Sequence, residues 1–190
     1  MNTLSTRGAR LKGIPRVLHK RARQALKERD LDEFFGYADS MLSMWLLHRN
    51  TEWFRRNGLY EKALLTAWTN QKFMEWRGAS MKAMLASCDR KKLLAACDPL
   101  PDGETLTVYR GVPPKNEVRG VSWTLDPAVA RWFASPTGTV YATDVKKSDI
   151  YAYMDASARE GEKEVLLVLA ASHPVRVFEA PPVAEREQTQ

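Results

Sequence analysis

The sequence predicts an α+β protein, with a helical N-terminal half followed by a mainly β C-terminal half. Three observations carry that reading. Apolar residues recur at three- and four-residue spacing from about residue 15 to about residue 97. Asp98-Pro99-Leu100-Pro101-Asp102-Gly103 then punctuates the chain more strongly than any other stretch. Beyond it, short alternating segments rich in Val, Thr and Tyr replace the helical pattern.

In the first half, Pro15 suits an opening helical turn, and Arg16 to Arg29 carries Val17, Leu18, Ala22, Ala25 and Leu26 at helical spacing. Asp30-Leu31-Asp32-Glu33 reads as a fresh helix start. Phe34, Phe35, Ala38, Met41, Leu42, Trp45 and Leu46 continue from it as one stripe, and Asn57-Gly58 reads as a left-handed stop. A further helix is expected from Leu59 to Trp76, with a break at Gly78 and a last helix from Ser80 to about Cys97. In the second half, strands are expected at Thr105–Tyr109, Thr139–Thr143, Val165–Leu169 and Val175–Phe178. A short helix from Asp126-Pro127 to about Ala134 interrupts them, with Pro127 suited to its first turn. The expected organisation is a basic segment over 1–30, a helical region over 31–98, a β-rich domain over 104–180 and a tail over 181–190.

At 190 residues and 44% apolar, with six tryptophans, the chain is long enough for one compact domain, or a small domain with a helical extension. Such a composition excludes disorder throughout. No apolar run approaches the ~18–20 residues of a membrane span, so no membrane partner is expected. The basic first thirty residues lack the apolar stretch and cleavage site of a secretory signal. Cys88 and Cys97 lack metal-ligand spacing and read as reduced, buried thiols, so no metal and a cytoplasmic location are expected.

The formal charge of +6 is uneven: nine Lys/Arg stand against Glu28 and Asp30 in residues 1–30, a local balance of +7 that leaves −1 for the rest. A segment like that is drawn to nucleic acid, an anionic surface or an acidic partner, or is simply a solvated tail.

Three segments carry the chemistry. Thr107-Val108-Tyr109-Arg110-Gly111 is a strand ending in an arginine before a glycine. Gly120-Val121-Ser122-Trp123-Thr124 is a strand running into the helix that holds Trp132 and Phe133. Glu160-Gly161-Glu162-Lys163-Glu164-Val165-Leu166 brings carboxylates to the start of an apolar strand. Taken singly, each is an ordinary strand end. Side chains two apart on a strand share a face, so Glu162 and Glu164 are expected side by side. Paired carboxylates repel, and they suit a site where one stabilises a cationic centre while the other takes a proton.

In this order, Tyr-Arg-Gly, Ser-x-Thr before a Phe-bearing helix, and Glu-x-Glu-Val-Leu, the segments resemble the arginine–serine–glutamate class of ADP-ribosyltransferases. The resemblance covers about Glu104–Val177, under half of the chain. It implies a split β-sandwich with NAD+ between its two sheets and no metal. Arg110 would bind the NAD+ phosphates beside Gly111, Ser122 would position Glu164 and the nicotinamide end, and Thr124 would support the strand. Tyr109 or Phe133 would stack on nicotinamide. Glu164 would be the catalytic carboxylate, and Glu162 would activate the acceptor. The loop from about Tyr151 to Gly161 would face the target, with Tyr151 and Tyr153 as contacts.

Two features depart from the family pattern: Trp123 stands in the middle of the Ser-x-Thr strand, and the stretch from Arg110 to Ser122 is short, as in compact bacterial and phage-borne members. The activity implied is mono-ADP-ribosyl transfer to a macromolecule, either a protein arginine or a nucleic-acid base, by a toxin or effector in bacterial–phage conflict. A cognate antitoxin or inhibitor protein would accompany it. NAD+ glycohydrolysis and a non-catalytic basic binding module are the alternatives.

Overall fold

Short polar side chains set where the helices begin. Asp30 accepts from the Glu33 amide (2.9 Å) to start the helix at Leu31, and Asp89 accepts from the Lys91 and Lys92 amides to start the helix at Arg90. The computed structural model describes residues 4–71, 78–155 and 161–178. The expected end of one helix at Trp76, part of the expected target-facing loop (156–160) and the expected tail (181–190) lie outside the described residues. The chain divides into two compact units, Met1–Cys97 and Asp98–Gln190.

The first unit is helical: α1 (His19–Glu28), α2 (Leu31–Gly36), α3 (Ser43–Arg49), α4 (Thr51–Arg56), α5 (Tyr60–Asn70), α6 (Gly78–Ala86) and α7 (Arg90–Ala95). Phe34, Phe35 and Phe54 form its aromatic centre, with ring centroids 5.2–6.0 Å apart. The basic segment belongs to this unit, because Ala22, Ala25 and Leu26 of α1 and Leu11 and Ile14 before it are all buried.

The expected continuous stripe from Phe34 onward is broken into pieces. After Gly36 the chain leaves the helix, and Asp39 accepts from the Met41 amide to begin a 3-10 turn at Ser40–Leu42. At Asn50 the side chain spends its bonds on Leu46 and Arg10, and a new helix starts at Thr51. Likewise the last expected helix is two, parted by the Asp89 cap.

The second unit is a mixed one, which among the described residues holds an antiparallel sheet and one α-helix: β1 (Thr105–Val112), β2 (Ser122–Thr124), α8 (Pro127–Ala134), β3 (Thr139–Lys146), β4 (Ile150–Met154), β5 (Glu164–Leu167) and β6 (Arg176–Val177). The strand order is β4-β5-β2-β1-β3-β6. β1 and β3 pair along their whole length, whereas β1 and β2 share a single register pair, Tyr109↔Thr124. Val108, Trp123, Val145, Ile150, Tyr153, Val165 and Leu167 make one core cluster. On α8 and the strands beneath it, Ala130, Ala134 and Val140 make a second, flanked by Tyr109 and Phe178.

Gly111 permits that close packing. A Cβ there would lie 1.9 Å from the Ala130 carbonyl oxygen, so only glycine lets α8 settle on β1. Asp126 starts α8 by accepting from the Ala128 amide (2.8 Å), with Pro127 in the first turn.

The expected loop from Tyr151 is in its first part a strand. Ile150–Met154 pairs with β5, and Tyr153 is buried in the core cluster rather than presented to a target. Tyr151 lies on the same strand, half-buried. The Ile-Tyr-Ala-Tyr-Met alternation suits a pleated surface better than a loop.

Candidate active site

Strand register decides which side chains can meet. Across the β2–β5 pair, Ser122 faces Leu166, Trp123 faces Val165 and Thr124 faces Glu164. Opposed residues point to the same side of a sheet. Ser122, Thr124 and Glu164 therefore share one face, while Trp123 and Val165 turn to the core on the other. This explains the tryptophan at the middle of the Ser-x-Thr strand. Its ring is 2% exposed and its Nε1 donates to the Gly120 carbonyl at 2.9 Å, so it is a core residue outside the polar face.

Short hydrogen bonds tie the strands together here. Ser122 Oγ donates to Glu164 Oε1 at 2.5 Å, and Arg110 Nη1 donates to the Ser122 carbonyl at 2.5 Å. Thr124 Oγ1 donates to the Glu162 carbonyl at 2.7 Å and also accepts from the Asp126 amide at 3.0 Å, which fixes the end of β2 against the segment before β5. Glu164 is buried at 9% exposure. Arg110, Ser122 and Glu164, distant in sequence, are thus brought into one hydrogen-bonded group.

Arg110 sits where β1 and β2 part, immediately after their one register pair. Burial depresses its affinity for a proton, while Glu117 and Glu164 act in the opposite direction. Its Nε is buried and, among the described residues, has no acceptor. A buried donor without a partner is costly. Sequence reasoning passed over Gly120, which makes this placement possible. A Cβ on Gly120 would lie 2.3 Å from Arg110 Nη2, so the guanidinium occupies the space a side chain would take. The glycine ahead of Ser122 was the available signal. Arg119 braces the same approach by donating to the carbonyls of Ala170 (3.1 Å) and His173 (2.9 Å).

The other expected site residues are placed differently. Tyr109 pairs with Thr124, which puts it on the Glu164 face, and packs edge-on against Phe178 with centroids 4.8 Å apart. Phe133 is exposed on α8, edge-on to Trp132, itself 72% exposed. Gly111 lies under α8, where its role is to admit the helix.

The expected side-by-side placement of Glu162 and Glu164 does not follow. β5 begins only at Glu164, and Lys163 has a left-handed backbone with φ 44°. Alternation of side chains requires extended backbone, so the two-residue rule fails at Lys163. Lys163 instead turns to Asp126, with Nζ and Oδ2 3.6 Å apart.

The half-buried Cys88 thiol of the helical unit is pushed up to about 12, chiefly by burial and secondarily by Glu61. Among the described residues, no group of His, Cys, Asp and Glu is arranged to hold a metal ion, and no helix is long and apolar enough to cross a membrane. No family model, curated protein or solved structure matches this chain.

Proposed function

We propose that the sheet unit is an ADP-ribosyltransferase that splits NAD+ and passes ADP-ribose to a macromolecule, a protein arginine or a nucleic-acid base. The observation that carries this reading is the linked group Arg110–Ser122–Glu164 at the β1–β2 parting, in which Arg110 reaches the Ser122 carbonyl and the Ser122 hydroxyl reaches Glu164. Arg110 is the residue type for a phosphate oxygen of the dinucleotide, since guanidinium forks match phosphate geometry. The family's split β-sandwich is supported by the single register pair that joins β4-β5-β2 to β1-β3-β6.

In this mechanism the bond between ribose C1′ and the nicotinamide nitrogen breaks, and nicotinamide leaves with the bonding pair. Glu164, held by Ser122, stabilises the cationic ribose that forms. The acceptor's lone pair then bonds to C1′ and its proton is released. The break at Lys163 leaves Glu162 without a geometric claim to that proton, and this favours a second reading, NAD+ glycohydrolysis, in which water is the acceptor. Toxin or effector action in the cytoplasm, restrained by an antitoxin protein, is the setting that the transferase reading implies.

The purified chain is expected to release nicotinamide from NAD+, and Glu164→Gln to slow release by about 10²–10³-fold. Equal rates for the two proteins would refute the reading. With radiolabelled NAD+ and cell extract, protease or nuclease treatment identifies which polymer carries the label, and NAD+ loss without polymer label marks the glycohydrolase.

A further inference from the structure

We propose that residues 4–29 form a preorganised cationic surface that binds nucleic acid through its phosphodiester backbone. It concerns the helical unit alone and stands whether or not the sheet unit cleaves NAD+.

All nine Lys/Arg from Arg7 to Arg29 are exposed. None of them pairs with a carboxylate among the described residues. On α1 the buried residues Ala22, Ala25 and Leu26 define one side. Lys20, Arg23 and Lys27 fall at i, i+3 and i+7 on the opposite side, a row about 10 Å long at 1.5 Å per residue. The preceding loop is equally fixed. Leu4, Ala9, Leu11 and Ile14 are buried beneath it. Asn50, itself 2% exposed, grips Arg10 at both ends of its peptide framework: its Oδ1 accepts from the Arg10 amide at 2.7 Å and its Nδ2 donates to the Arg10 carbonyl at 2.9 Å. Arg7, Arg10 and Lys12 therefore project from an ordered backbone, and binding does not have to order a free tail.

The chemistry selects a polyphosphate. Nine positive charges with two acidic neighbours at the segment's end need a partner of comparable density and one sign. Folded protein surfaces intersperse both signs, whereas every nucleotide linkage carries a negative charge. Six of the nine are arginine, whose forks grip phosphate oxygens. An anionic bilayer would in addition take up an apolar helix face, but that of α1 is consumed by the core, and Val17 is the one large apolar side chain that stands out from this segment.

The test uses the full chain without NAD+ and a fluorescein-labelled single-stranded RNA of about 20 nucleotides, with anisotropy read from about 50 to about 300 mM salt. Binding is expected with a linear log–log salt dependence. The triple variant Lys20→Gln, Arg23→Gln, Lys27→Gln, with circular dichroism unchanged, should lower that slope by about 2 and weaken binding roughly tenfold at low salt. No binding at the lowest salt, or an unchanged slope in the variant, would overturn the proposal. Polyglutamate displacing the RNA at equal charge would also overturn it in favour of an acidic protein. Phosphatidylserine vesicles holding the protein against excess RNA would do so in favour of a membrane.

Discussion

In the helical unit, the cations between Arg7 and Arg29 stand in solvent above a floor of Ala22, Ala25 and Leu26, while in the sheet unit Arg110 and Glu164 are drawn beneath the surface and meet at Ser122. The first arrangement costs little, because exposed charges stay hydrated. The second takes charge out of water, which is unfavourable unless hydrogen bonds compensate. Exposed charge of one sign is suited to long-range attraction, and half-buried charge with a missing acceptor is suited to gripping one ligand group at close range. The two units therefore hold their charges in opposite ways, and the proposed roles of each can be tested.

The largest expected effect tests whether the helical unit is held by its aromatic centre. Phe34→Ala should lower the unfolding free energy by about 3–5 kcal/mol, read from the urea midpoint. A loss under about 1 kcal/mol would mean that the cluster of Phe34, Phe35 and Phe54 does not hold the cationic floor in place. In the sheet unit, Gly120→Val places carbon where the Arg110 guanidinium lies, and that side chain's flexible end can move away. Stability should fall by only about 1 kcal/mol, while nicotinamide release falls about 10–100-fold, the worth of a charge-assisted hydrogen bond or two. Parallel loss of both would show that the glycine serves packing alone. The smallest effect is expected for Ser122→Ala, which removes one bond to Glu164 and should reduce release about tenfold with the melting temperature nearly unchanged. An unchanged rate would detach Ser122 from the site.

What was legible in the sequence follows the same division. Period and punctuation located the helical half, the boundary near Asp98 and most strands, because each depends on neighbours in the chain. The breaks at Asp39 and Asn50 were hidden, since Asn50 chooses its partner at Arg10, far away in sequence. Strand β4 was legible in Ile150-Tyr151-Ala152-Tyr153-Met154, but the resemblance assigned that stretch to a loop. Arg110, Ser122 and Glu164 stood out as residue types at strand ends, and their meeting depends on cross-strand register that no local pattern contains. The extended backbone that the Glu162–Glu164 expectation rests on is interrupted for a purely local reason, the left-handed Lys163, in a residue type that gives no warning of it.

The pairing of Glu164 with Thr124 makes the site a test of correct assembly. Side chains alternate along β5, so a slip of one residue against β2 would swing the carboxylate into the oily interior and put Val165 before the hydroxyl of Ser122. No half-formed site lies between those two states. On the proposed reading, molecules that misalign this strand would be chemically silent however compact they are, and turnover would count only those chains whose strands closed in step.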